Sequence, residues 1–318
     1  MTSISGEGRR GLVSFRMHDR LEIGAPTLRI RNITVVLDFY QKGLGLQVNN
    51  REYDHDNHVY ELGFSLPPSD ADISPLLILQ HNPDAKNVSP RSAGLYHFAI
   101  LVPDRRSLAL TYIALRDAGV HYDGFADHLV SESLYLRDPE NNGIEIYRDR
   151  PVREWPRDSA GHIIMDTLPL DLQSLISEIN KEEPKNTIPF PSGAKIGHIH
   201  LKVTDLGRSI NFYHKKLGFD ITVNWKSMGA AFLSAGGYHH HIGMNTWHSL
   251  NGEGHIQGRS GLENFTITIP ERSSFNALRD TIKRHFVGSE QQGRIGKADG
   301  NQFIVSDPDG IQILVKCE

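Results

Sequence analysis

Cysteine is almost missing from this sequence: Cys317 is the only one in 318 residues. An internal disulfide framework and any cysteine-based zinc site are therefore excluded. Long apolar runs are missing too, and nothing approaches the ~18 residues that a membrane-spanning helix requires. Basic charge is neither abundant nor clustered, with 34 Lys and Arg against 38 Asp and Glu and a net charge of −4. A sequence-independent grip on nucleic-acid phosphates needs a concentrated basic face, so neither nucleic acid nor membrane is an expected partner. Residues 1–24 carry Arg9, Arg10 and Arg16 without the apolar core of a secretory signal, which makes the cytoplasm the expected compartment. Histidine is what the chain has in excess: 17 residues, three of them consecutive at His239, His240 and His241. Any bound metal must then be held by imidazole and carboxylate.

The chain repeats itself. The segment TLRIRNITVVLDFYQKGLGLQV (27–48) reads like HLKVTDLGRSINFYHKKLGFDI (200–221), and the pairs Leu28/Leu201, Phe39/Phe212 and Gly45/Gly218 keep one spacing of 173 residues. More loosely, HFAILVPDRRSLALTYIALRDAG (97–119) matches NFTITIPERSSFNALRDTIKRH (264–285), and LRDPENNGIEIY (136–147) matches VSDPDGIQILV (305–315). Asn32, Asp104, Asp205 and Glu271 each fall seven residues after Ala25, His97, His198 and Asn264, at the step from strand to helix. A short polar side chain there caps the first helical turn. Each unit reads strand, helix, then two or three strands. Half-sheets of this kind bury their faces only by pairing. The expected fold class is α+β, with four βαβββ modules paired into two open-barrel lobes. Along the chain this gives an N-terminal extension (1–24), a first domain of modules one and two (25–150), a linker with one helix over Leu170 to Ile179 (151–195), and a second domain of modules three and four (196–318).

Equivalent positions carry unequal chemistry. The first inward position of the opening strand holds Ala25, His97, His198 and Asn264 in turn, and the closing strand holds Glu145 in module two but Gln312 in module four. His97, Glu145 and His198 thus form a two-histidine, one-carboxylate set, which covers one face of an octahedral metal and leaves the other open for ligands. The set requires modules two and three to face each other. His200 competes with His198, because residues two apart on a strand share a face; the seven-residue register favours His198.

The segments GLYHFAILVPDR (94–105), DHLVSESLYLRDPENNGIEIYRDRP (127–151), IGHIHLKVTDLGRSINFYHKKLGF (196–219) and FLSAGGYHHHIGMNTW (232–247) resemble the vicinal-oxygen-chelate superfamily, which comprises glyoxalase I, bleomycin-resistance proteins and extradiol dioxygenases. Within it the chain is most similar to the four-module catechol 2,3-dioxygenase group. The resemblance covers residues 25–318 apart from the linker. It implies a metal triad, which the better-known four-module enzymes draw from modules three and four; here Asn264 and Gln312 stand in that place. It also implies an acid/base histidine in the Tyr238–His241 hairpin, for which His241 is the first choice and His240 the competitor, since alternation sends His239 and His241 one way and His240 the other. Tyr135, ten residues before Glu145, and His128 gain the role of hydrogen-bonding a substrate oxygen, while His200 and His239 are the imidazoles left to meet the substrate. Trp155 and Trp247 are candidate walls of an aromatic pocket.

The function so implied is a non-haem Fe(II) extradiol ring-cleaving dioxygenase, with Mn(II) as the other metal, acting on a catechol or hydroquinone-type aromatic with O2; assembly into a homo-oligomer is left open. Two other readings stand beside it: a metal-dependent glyoxalase- or epimerase-type isomerase or lyase, which calls for a second carboxylate ligand, and a non-catalytic resistance protein that binds a small molecule.

Overall fold

The computed structural model describes residues 15–53, 57–64, 74–179, 191, 193–286 and 295–318. All four modules share one order of elements. Module one has β1 (Glu22–Ile30), α1 (Ile33–Asp38), β2 (Gln47–Tyr53), β3 (Asn57–Phe64) and β4 (Ser74–His81). Module two has β5 (Gly94–Leu101), α2 (Arg105–Asp117), β6 (Tyr122–Asp127), β7 (Ser131–Arg137) and β8 (Gly143–Asp149), followed by the linker helix α3 (Leu172–Ile176). Module three has β9 (Lys195–Lys202), α4 (Leu206–Ile210), β10 (Asp220–Trp225), β11 (Ala230–Ser234) and β12 (Ile242–Asn245). Module four has β13 (Gly261–Ile269), α5 (Arg272–Phe286), β14 (Ile295–Ala298), β15 (Gln302–Ser306) and β16 (Gln312–Cys317).

The side-chain caps explain where three of the main helices begin. Asn32 accepts from Val35 N at 3.4 Å, Asp104 from Ser107 N at 2.7 Å and Asp205 from Arg208 N at 2.9 Å, each removing one orphan donor of a first turn. Glu271 departs from this pattern: its carboxylate is drawn out to Arg20 and His18 instead. The linker helix is also shorter than its periodicity suggested, five residues capped by Asp171 rather than a run from Leu170 to Ile179.

Two eight-stranded sheets result, in the orders β14-β15-β16-β13-β1-β4-β3-β2 and β10-β11-β12-β9-β5-β8-β7-β6. Modules one and four build the first, and modules two and three build the second. The lobes therefore cut across the expected halves 25–150 and 196–318: neither half forms a sheet of its own. The seams are antiparallel, β1 against β13 and β5 against β9. This pairing puts the opening strands of modules two and three side by side, with His97 opposite His200 and Ala99 opposite His198.

The main apolar core runs through both lobes, from Leu28, Ile30 and Tyr40 to Leu201, Phe212, Phe265 and Phe303. Two repeat-related hydrogen bonds tie the lobes across it. Tyr40 of module one donates to Asp138 of module two, and Tyr213 of module three donates to Asp307 of module four, each at 3.2 Å. The two aspartates sit in the Asp-Pro turns before β8 and β16. Asp307 Oδ1 also accepts from the backbone of Asp309 and Ile311, as Asp138 Oδ1 does from Glu140 and Asn142. Burial outweighs these hydrogen bonds and pushes Asp138 up to about 6 and Asp307 up to about 7.

The described first part of the linker, 151–179, is tied to the second lobe. Arg105 on α2 reaches Glu132 of β7, and also Ser174 and Glu178 of the linker. Glu132, 3% exposed, is neutralised further by Arg148 and Arg150. Asp127 at the end of β6 exchanges backbone hydrogen bonds with Leu168 at 2.8 and 2.9 Å. These contacts lay residues 163–168 along the rim of the second sheet.

Candidate metal centre

The concave face of the second sheet surrounds a cavity of about 790 Å³, within the roughly 300–1,000 Å³ typical of small-molecule sites. Beneath it, β5, β8 and β9 bring His97, Glu145 and His198 together, of which His97 and Glu145 line the cavity. Nε2 of His97 lies 2.9 Å and Nε2 of His198 lies 3.0 Å from Oε2 of Glu145. All three side chains are buried, and their ligand atoms lie within 4.8 Å of one another. Sheet topology explains why the three meet: β5 is hydrogen-bonded to β8 on one side and to β9 on the other. In the first sheet, by contrast, Asn264 pairs with Gln312 beside Ala25, so the same geometry carries no metal-competent set.

These residues fit a divalent cation. Nε2 of His97 is buried and, although close to Glu145, is not aligned for a hydrogen bond with it or any other group. A buried imidazole nitrogen without a partner is costly unless it has a ligand to meet. Burial drives His198 down to about 4 against the pull of Glu145, so its ring is neutral. Burial works to raise Glu145, but the two imidazoles outweigh it and hold the carboxyl well below its usual range. Neutral imidazole and ionised carboxylate are the protonation states that a metal needs. Ser133 donates to Glu145 Oε1 at 2.6 Å and leaves Oε2 for the metal side, the kind of supporting contact that orients a ligand.

Around His97 and Glu145 the cavity is lined by Tyr96, His128, Tyr135, His200, His240 and Phe232, and its mouth by Met165, Thr167, Trp225, Met228 and Trp247. His200 reaches Asn245 at 3.0 Å, and burial with neighbouring His97 and His198 keeps it well below the usual histidine range. His128 Nδ1 meets the carbonyl of Asp166 at 2.8 Å, and its Nε2 meets Tyr135 Oη at 2.7 Å. A carbonyl only accepts, so Nδ1 carries the proton and, in the neutral ring, Nε2 accepts from the tyrosine hydroxyl. Burial and then Glu145 raise Tyr135 well above its ordinary value, which keeps it a donor.

The triple histidine divides as alternation suggests, although it lies in the loop before β12 rather than on a strand. His240 faces the cavity, its ring centroid 4.1 Å from that of His198 and 4.9 Å from that of Phe232. His241 turns away to Ser234 Oγ at 3.0 Å, and His239 turns away to Asp149 at 2.8 Å. The first choice of base, His241, is thus outside the cavity, as is His239 from its expected place against a substrate; Gly236 and Gly237, at φ 63° and 75°, set the loop geometry that decides this. Trp247 lines the mouth, but Trp155 packs behind it with Val130 and Met165. Sequence reasoning missed Tyr96 and the linker wall Met165–Thr167. The first was visible as an aromatic next to His97; the second left no signal, because it depends on the Asp127–Leu168 bridge.

Comparison with known proteins follows the same outline. A family model described as Glyoxalase/Bleomycin resistance protein/Dioxygenase superfamily matches residues 22–146 and 195–315. The chain is 38% identical over 293 residues to a Bacillus subtilis (strain 168) protein named catechol-2,3-dioxygenase, covering 92% of this chain and 95% of that one. Among solved structures it shares its fold with a Bacillus subtilis protein proposed to be a dioxygenase, at a TM-score of 0.61 and 14% identity over 93% of this chain and 84% of that one. It also shares it with glyoxalase I from Zea mays, at a TM-score of 0.55 and 15% identity over 93% and 92%.

Proposed function

Since the chain belongs to the glyoxalase/bleomycin resistance protein/dioxygenase superfamily, we propose that it is a metal-dependent extradiol dioxygenase that cleaves the ring of a catechol or hydroquinone-type aromatic with O2. The observation that carries this reading is the buried triad of His97, Glu145 and His198, its ligand atoms within 4.8 Å of one another, with His97 and Glu145 lining an aromatic-walled cavity. Two histidines and one carboxylate suit non-haem Fe(II), with Mn(II) the next candidate. Bound there, the metal would supply adjacent sites for a deprotonated diol and for O2 and a route for electrons between them.

The chain's own residues do the rest. Tyr96, Phe232 and Trp247 offer π-faces and edges to an aromatic ring above the triad. His240, close to the triad and facing the cavity, is the group to take the diol proton, in preference to His241. Tyr135, oriented by His128, is set to hydrogen-bond a substrate oxygen, and His200 borders the same space from β9. Met165, Trp225 and Met228 keep water from the mouth once substrate is in place. An isomerase of the glyoxalase kind would call for a further carboxylate at the metal, and among the described residues no other Asp or Glu joins this cluster.

The test is anaerobic reconstitution with Fe(II), followed by a panel of catechols and hydroquinones in air. O2 uptake with a yellow ring-opened product is expected. Absence of uptake across the panel, with isomerase activity under Ni(II), Mn(II) or Zn(II), would overturn the reading.

A further inference from the structure

Asp149 and His239 lie outside the cavity, yet they form one continuous chain of hydrogen bonds with the histidine that faces it. His239 Nε2 is 2.8 Å from Asp149 Oδ1, and His239 Nδ1 is 2.8 Å from His240 Nδ1. Two tyrosines anchor the far end: Tyr238 Oη donates to Asp149 Oδ2 at 3.0 Å, and Tyr147 Oη meets Tyr238 Oη at 2.7 Å. His239 is fully buried, and Tyr147 closes over the backbone of Gly197, where a Cβ would come within 1.8 Å of its hydroxyl.

The proton positions in this chain follow from donor and acceptor capacity. An ionised carboxylate only accepts, so the hydrogen between Asp149 and His239 belongs to Nε2. A neutral His239 then has only a lone pair at Nδ1, and the hydrogen in the bond to His240 must belong to His240 Nδ1. His240 Nε2 is left without a proton. Among the described residues nothing hydrogen-bonds that nitrogen, and the ring lines the cavity.

We propose that Asp149 and His239 are positioning residues that hold His240 in its Nδ1–H tautomer, so that its Nε2 lone pair is presented to the cavity as the proton acceptor. The reactive consequence rests on the dioxygenase reading; the tautomer itself does not. The principle is that of a Ser–His–Asp triad, in which a carboxylate behind the histidine selects the tautomer and an Asp→Asn change that leaves the geometry intact lowers kcat about 10⁴-fold.

Asp149→Asn is the informative variant because Tyr238 dictates which way the amide sits. With Tyr147 Oη donating to Tyr238 Oη, as the Tyr238–Asp149 bond already requires of its other partner, the Tyr238 proton goes to the amide oxygen and the NH2 faces His239 Nε2. His239 must then carry its proton on Nδ1 and donate it to His240 Nδ1, which moves the His240 proton to Nε2. Ring-nitrogen NMR of the full-length chain labelled with ¹⁵N-histidine, metal-free and with diamagnetic Zn(II), reads both tautomers directly. The expected result is Nδ1–H for His240 in the wild-type chain and Nε2–H in Asp149→Asn, with kcat for ring cleavage down about 10²- to 10⁴-fold and KM little changed. A wild-type His240 protonated on Nε2, or a tautomer that Asp149→Asn leaves unmoved, would overturn the proposal. If the tautomers behave as expected but no catechol is cleaved, the network stands and the dioxygenase reading falls.

Discussion

The two buried aspartates that join the lobes predict how stability depends on pH. Asp307 is fully buried, accepts from Tyr213 and sits near Asp309, and burial and that neighbour raise it from an ordinary 3.8 to about 7. The folded chain therefore holds the proton more tightly than the unfolded chain. The contribution is intact below about pH 4, where both states are protonated, and is lost as pH rises through about 7. At about 1.36 kcal/mol for each tenfold change in proton affinity, the whole effect is on the order of 4 kcal/mol, of which roughly 3 kcal/mol falls between about pH 5 and pH 8.5. Asp307→Asn removes the titration but keeps an oxygen to accept from Asp309 N and Ile311 N. Urea unfolding of wild type and variant, followed by tryptophan fluorescence at these two pH values, isolates the term, since every other titrating group is common to both. The variant should gain on the wild type by up to about 3 kcal/mol on going to the higher pH. A difference that stays constant across this range would show that Asp307 ionises normally and that the argument from burial is wrong.

Three further outcomes follow from the site. Glu145→Ala should abolish stoichiometric metal binding measured by elemental analysis after dialysis, because it removes the oxygen on which both imidazoles converge; retention of one metal per chain would refute the assigned triad. Tyr135→Phe, which deletes the hydroxyl held by His128, should leave metal content unchanged and lower kcat about 10²-fold in steady-state assays, in the range of a lost oxyanion donor. Gly197→Ala should destabilise the chain by about 1–3 kcal/mol in thermal unfolding, since the new methyl would meet Tyr147 Oη at 1.8 Å; a neutral result would mean that the tyrosine is free to move.

The fold was largely legible because it is written four times. Repetition exposed the module boundaries, and the unequal residues at repeat-equivalent positions, His97 and His198 against Ala25 and Asn264, singled out the residues that the structure brings together. Pairing of the modules was less legible. Each opening strand has the same alternating pattern and can form a seam with any other, so only the loss of ligands at Asn264 and Gln312 hinted that modules two and three meet. Orientation within the His239–His241 run could be narrowed to two faces by alternation, but which face meets the cavity depends on the left-handed turn at Gly236 and Gly237. Asp149 escaped notice because its role arises from a contact with a residue 90 positions away, and the linker wall because a backbone bridge leaves no mark on side-chain chemistry.

Pairing the first module with the last also sets an order of assembly on the ribosome. The β5–β9 seam is complete when module three has emerged, whereas β1 must wait for β13, which begins 231 residues after β1 ends. At roughly 5–20 residues per second that delay is about ten to fifty seconds. During it one flank of β1 has unpaired backbone groups, the condition under which strands recruit the wrong neighbour. The lobe that carries His97, Glu145 and His198 is thus the early product of synthesis, and the lobe of modules one and four closes only after β13 has been made.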